Sequence, residues 1–313
     1  MAQLSKNLEE WLEKYNEFLE KLRQEGFVQT STNAREGLAN LTSALVSKKP
    51  ALPWIQDDLV GGEEFDVPVR LYHPDPLRSL PVLLYFHGGG HMAGSITVYD
   101  PICRKLAVQS SHLVISADYR LAPECPYPAG VTDALTVCRN FGEVLEKREV
   151  EYQANVSIAG DSAGGAICAT VTSAMQHDEN VNIDKQILIY PSLDYTIGSQ
   201  SLIDNGKGFL LEKDKIEWYF ANYFQNSEDR RQVSPIYMEF SANLPRSLVI
   251  TAEFCPLRDE GFAYVRKLED AGVDCKHIHF EDMIHAFMNM EDIAEDQCRR
   301  LYETVASFLN DGI

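Results

Sequence analysis

The stretch "VSIAGDSAGGAICATVTSAM", residues 156–175, decides the fold. Val156 to Ala159 read as a short buried strand. Gly160 to Gly165 form a glycine-flanked turn, and a run of small residues that follows reads as a helix. A strand that passes straight into a helix is the repeating junction of a parallel sheet. The turn also fits G-x-S-x-G, the nucleophile elbow, in which two glycines leave room for a sharp bend and the serine projects above the sheet. Ser162 is therefore a candidate nucleophile. The N–H of Ala163, at a helix N-terminus, is a candidate donor to an oxyanion. The pentapeptide alone occurs by chance. Its strand–turn–helix context separates it from a mere glycine-rich helix start.

The same theme recurs on both sides. "DVPVRLYHP" (66–74), "PVLLYFHGGG" (81–90), "HLVISADY" (112–119), "QILIYPS" (186–192), "LVITAEF" (248–254) and "CKHIHFED" (275–282) read as strands. Helical spacing falls near 97–110, 131–146, 163–177, 260–272 and 291–309. The alternation predicts an α/β fold with a largely parallel sheet flanked by helices. Two segments break it. Leu8, Trp11, Leu12, Tyr15, Phe18, Leu19 and Leu22 form an apolar helical stripe, followed by a second helical stretch at 32–46. Residues 198–226 add further helix. The expected organisation is N-terminal cap helices in 1–50, core in 51–197, a cap insertion in 198–228, and core again in 229–313. There is no internal repeat or low-complexity tract.

"HGGG", residues 87–90, ends a strand in a polyglycine turn that lets backbone approach a ligand closely. The N–H groups of Gly88 and Gly89 are expected to complete an oxyanion hole with Ala163. A dinucleotide loop does not fit, because the run lacks G-x-G-x-x-G. A metal site on His87 and His91 is disfavoured, since they flank glycines instead of sharing a helix face. His285, in "EDMIHAF", follows the last strand. A lone histidine is usually a satisfied core or surface residue. This one comes after the serine in the chain and between the last strand and last helix, where a general base belongs.

Taken with "DYRLAPECPYPAG" (118–130), "YPSLDY" (190–195), "PLRDEG" (256–261) and "HAF" (285–287), these motifs resemble the hormone-sensitive-lipase-like family of α/β-hydrolases, bacterial carboxylesterases of the HGGG type. The resemblance runs from about residue 67 to 290. It implies an α/β-hydrolase fold with an eight-stranded sheet and a helical cap, and a serine esterase that cleaves small short-acyl esters through an acyl-enzyme without a cofactor or metal. Asp118, Arg120 and Glu124 are expected to hold a buried polar network below the site. One position departs from the pattern. The family's D-P-L-R-D-E-G begins with the aspartate that orients the histidine, and here Cys255 stands in that place. A thiol accepts a hydrogen bond only weakly, and a thiolate formed at the histidine's expense would leave an imidazolium that cannot act as base. Asp194, in "YPSLDY", is the first candidate to substitute for the missing acid; Glu253, Asp259 and Asp282 are nearer in sequence. Oxidation of Cys255 to a sulfinate is another route to an anion there. Two rival readings remain: an amidase or deacetylase, which shares the acyl-enzyme, and a catalytically impaired ligand-binding protein, as in the plant gibberellin receptors that resemble this family.

Composition narrows the partners. The 313 residues carry a formal net charge of −19, which disfavours nucleic acid and anionic membranes. No apolar run is long enough to span a bilayer, and the N-terminus lacks the features of a signal peptide. Seven cysteines without zinc-type spacing suggest reduced thiols and a cytoplasmic protein. A small-molecule ester is the expected partner; monomer and homodimer both stay open.

Overall fold

The structure, a computed structural model, describes residues 3–178 and 181–311. Its sheet has eight strands: β1 (Trp54–Val60), β2 (Val67–His73), β3 (Leu80–Phe86), β4 (Leu113–Ala117), β5 (Tyr152–Asp161), β6 (Lys185–Ile189), β7 (Arg246–Phe254) and β8 (Cys275–Ile284). They lie in the order β1-β2-β4-β3-β5-β6-β7-β8. β2 pairs antiparallel with β1 and β4, and every later pairing is parallel. Central strands such as β3 are buried along their whole length, which is why they read as unbroken apolar runs.

Helices cover both faces. α3 (Asp100–Ser110) and α9 (Glu295–Asn310) pack on one side, with Ile102, Leu106, Leu301 and Val305 in the core. α4 (Ala129–Lys147), α5 (Ala163–Met175) and α8 (Arg258–Asp270) cover the other, through residues such as Val137, Ile167 and Leu268. The helix expected at 291–309 begins later than its pattern suggests, because Phe287–Ile293 form a 3₁₀ segment first.

β1 has no counterpart among the strand-like stretches of the sequence. It is an edge strand with Asp57 and Asp58 in its middle, and Asp57 pairs with Arg70 directly across from it on β2. Charge on an edge blocks further strand pairing and also hides the alternating pattern.

Four helices lie outside this sandwich: α1 (Lys6–Gln24), α2 (Ser31–Leu45), α6 (Ser201–Asp204) and α7 (Lys213–Tyr223). Thr30 and Asn33 start α2 with a reciprocal capping box. α1 is tied to the insertion between β6 and β7 by Asn16, which donates to the Gly208 carbonyl at 2.9 Å, and by an Arg23–Glu212 ion pair. α2 is tied to the core by Arg35, which donates to the carbonyls of Met92 and Ala122 and pairs with Glu124.

That last contact corrects the expectation of one buried network in "DYRLAPE". Glu124 is exposed and grips α2 through Arg35. Arg120 instead binds Asp133 of α4, and Asp118 accepts from the N–H of Ile96. The three side chains are separate tethers, each fastening a different segment to the loop.

Candidate active site

β5 delivers Ser162 at its C-terminal end, and the bend that follows is sharp. Ser162 adopts φ 54°, ψ −118°, a strained conformation for a residue with a Cβ, at a cost of about 1–3 kcal/mol. The surroundings enforce it. A side chain at Gly164 would collide with the carbonyls of Phe86 and His87, and the Ser162 N–H is held by the Ile189 carbonyl at 2.9 Å. The hydroxyl therefore points away from the sheet, into a cavity lined by α1, α2 and α7.

His285 leaves the end of β8, and its Nε2 lies 2.9 Å from Ser162 Oγ. Its Nδ1 lies 3.1 Å from Cys255 Sγ. Sγ also accepts from the Leu257 N–H at 3.3 Å. Cys255 thus stands where an orienting acid would stand. The thiol is 1% exposed, and burial raises its pKa far above the ordinary range, so it is a neutral S–H. Such a thiol is a poor target for peroxide, which argues against activation through a sulfinate.

Among the described residues, no carboxylate replaces it. Asp194 is turned elsewhere: Oδ1 accepts from the backbone and hydroxyl of Thr196, and Oδ2 from the Tyr237 hydroxyl at 3.1 Å. Glu253 binds Arg258 and His279, Asp259 binds Arg258 and the Ser201 N–H, and Asp282 binds Gln297. His285 is itself buried, with the ring of Tyr190 edge-on against it. Burial, and then the charge of Lys215, pull its pKa down to about 3. The imidazole is therefore neutral.

The glycine loop differs from expectation in register. The N–H of Gly88 donates to Asp161 Oδ1 at 2.8 Å, so Gly88 is removed from the expected oxyanion set. Asp161 also accepts from the hydroxyls of Tyr85 and Tyr99. It anchors the loop beside the elbow, and burial raises its pKa to about 6 against those three donors. Gly89 and Gly90 line the cavity with Ser162, Ala163 and His285. Among the described residues, the N–H groups of Gly89, Gly90 and Ala163 have no acceptor. His87 and His91 are taken up by stacking, on Tyr119 and Tyr223 respectively.

The cavity measures about 620 Å³. Its walls come mainly from the outlying helices: Phe18, Leu19 and Leu22 of α1, Leu38 and Leu41 of α2, and Ile216, Tyr219 and Phe220 of α7. Among the described residues, Lys215 of α7 is the cation of this lining. Three contributors were not foreseen from sequence: Gly90, Asp161 and Lys215. Gly90 and Asp161 sit inside recognised motifs and could have been weighed. Lys215 carries no local signal.

An elbow serine, a histidine at 2.9 Å and unpaired amides on one cavity have the arrangement of a serine hydrolase site on an α/β-hydrolase scaffold. Residues 83–289 match the family described as alpha/beta hydrolase fold. The chain is 34% identical over 263 residues to the ethyl acetate hydrolase of Pseudomonas putida, covering 82% of each. It is 34% identical over 230 residues to the carboxylesterase NlhH of Mycobacterium tuberculosis, covering 72% of each. Among solved structures, a hyperthermophilic esterase from Pyrobaculum calidifontis superposes with a TM-score of 0.88 at 31% identity, covering 98% of each chain. The chain belongs to the hormone-sensitive-lipase-like family of α/β-hydrolases. No helix in the described residues is long and apolar enough to cross a membrane.

Proposed function

We propose that the protein hydrolyses small carboxylic esters with short acyl chains, through an acyl-enzyme on Ser162. The observation that carries this reading is the 2.9 Å contact between Ser162 Oγ and His285 Nε2 inside the cavity. His285 takes the hydroxyl proton as Oγ attacks the ester carbonyl. The N–H groups of Gly89, Gly90 and Ala163 hold the resulting oxyanion, Ala163 with the added field of the α5 N-terminus. His285 returns the proton to the departing alcohol, and water releases the acid by the same route. A cavity of about 620 Å³ accommodates a short acyl chain together with a small alcohol. The named activities of the relatives, ethyl acetate hydrolysis and carboxylic ester hydrolysis, support the substrate class.

Cys255 makes the reaction slow. In serine proteases, loss of the orienting acid costs on the order of 10⁴ in kcat. The same residue favours a second reading, a binding protein that has kept the pocket and lost the chemistry. A fluorophosphonate probe and p-nitrophenyl acetate separate the two. Labelling at Ser162 and turnover that disappears in Ser162→Ala support the esterase. Absent labelling together with absent turnover would leave the binding protein. A reducing compartment such as the cytoplasm suits the seven free cysteines.

A further inference from the structure

Lys215 is the feature of the cavity that ester hydrolysis does not use. It lies on the first turn of α7, half-buried, and lines the same cavity as Ser162 and His285. Tyr219, one helical turn on, lies against Gly90, where an added Cβ would strike its ring 2.7 Å away. The Lys215 ammonium lies 5.9 Å from the centre of that ring. Lys215 and Tyr219 thus form one face of α7 laid over the unpaired glycine amides.

The carboxylates around this cation have other partners, although the charge of Glu212 still helps to hold Lys215 protonated. Glu212 pairs with Arg23, Asp161 is turned to Tyr85, Tyr99 and Gly88, and Glu36 is exposed at the cavity's rim. Among the described residues no carboxylate lies within ion-pair range of Lys215, although most of the chain's lysines and arginines have one. Tyr219, Tyr15 and the charge of Glu212 favour the protonated form of this half-buried amine, yet no carboxylate touches it, which leaves the ammonium open to an anion in the cavity.

We propose that the substrate supplies it: the preferred esters carry a carboxylate, which docks on Lys215 while the ester carbonyl lies at Ser162. This rests on the esterase reading and names its substrate class. The docked anion would also act on the chemistry. Lys215 opposes a positive charge on His285, and Cys255 provides no negative charge to offset it. A substrate carboxylate at Lys215 neutralises that opposition and makes the imidazolium easier to form, so part of the work of the missing acid passes to the substrate.

The test compares matched pairs at low ionic strength. On the acyl side, mono-p-nitrophenyl glutarate is set against p-nitrophenyl pentanoate. On the alcohol side, 3-acetoxybenzoate is set against phenyl acetate. In at least one pair the anionic ester should be preferred in kcat/KM by about 10- to 100-fold, the range of a charge-assisted hydrogen bond in a sheltered site. The preference should fade in high salt, vanish in Lys215→Met and persist in Lys215→Arg. Lys215→Met should also turn over the neutral ester faster, which reports that the variant is folded. Equal or reversed selectivity in both pairs, with neutral esters hydrolysed, would sink this inference alone, as would a preference that survives in Lys215→Met. If no ester is turned over and Ser162 resists the fluorophosphonate, the esterase reading fails and takes this inference with it.

Discussion

Nδ1 of His285 can use the thiol beside it in two ways. If Nδ1 carries the proton, it points at a weakly accepting sulfur, and Nε2 is free to take the serine proton. If the thiol donates to Nδ1, the ring proton sits on Nε2 and points at Ser162, which blocks the reaction. A carboxylate excludes the second tautomer, and a neutral thiol permits it. Cys255→Asp is therefore expected to raise kcat by roughly 10²–10⁴, since the Leu257 N–H is already placed to hold the new carboxylate. An Asp variant no faster than the parent would show that tautomer control is not what limits the site. The pH profile provides a second readout. Cys255, Lys215, Ser162 and Tyr190 all face His285, and none supplies a negative charge. With its pKa down at about 3, the base stays neutral in mild acid, so kcat/KM should lack an acid limb from pH 8 to about pH 5. Cys255→Asp stabilises imidazolium, raises that pKa and should bring the limb up towards the ordinary histidine range. A parent enzyme that loses activity below pH 6.5 by protonation of one group would contradict the burial argument. At this scale the motifs made Ser162, Ala163 and His285 legible, because chain order and context restrict where a serine and its base can sit. They did not give the register of the glycine loop. "HGGG" says that amides are near, but only the fold shows that Asp161 takes the first of them.

Among the elements, the apolar stripe of α1 was legible as a surface that needs cover. Leu8 and Leu12 are buried against the core, while Phe18, Leu19 and Leu22 face the cavity. A side chain enlarged there takes volume from the substrate. Leu19→Trp should lower kcat/KM for p-nitrophenyl octanoate about tenfold or more relative to acetate, by overfilling an apolar wall. An unchanged chain-length profile would place the acyl group against another wall. α7 was less legible. "EKDKIEWYFANYF" reads as a charged helix with an apolar back, so Lys215 looks like one more solvated lysine. Its inward direction follows from the helix crossing over Gly90, a tertiary fact that spacing does not contain. β1 was hidden for a similar reason, since an edge strand with two aspartates lacks the alternation of a half-covered one.

The whole molecule keeps its seven cysteines free, five of them buried. Its stability should owe nothing to cross-links, so the thermal midpoint should be the same with and without a thiol reductant; a drop of several degrees on reduction would expose a disulfide. The tie between α1 and the insertion has a consequence in time. Arg23 and Glu212 are 189 residues apart, and their ion pair joins α1 to the insertion beside the cavity. A ribosome adding about 5–20 residues per second takes roughly 10–40 s to pass from one to the other. Throughout that interval the greasy side of the first helix has emerged and its docking partner has not been made. For the nascent chain this helix is an apolar surface that a holdase would cover, and a wall of the chamber that is among the first parts translated must wait for its docking partner.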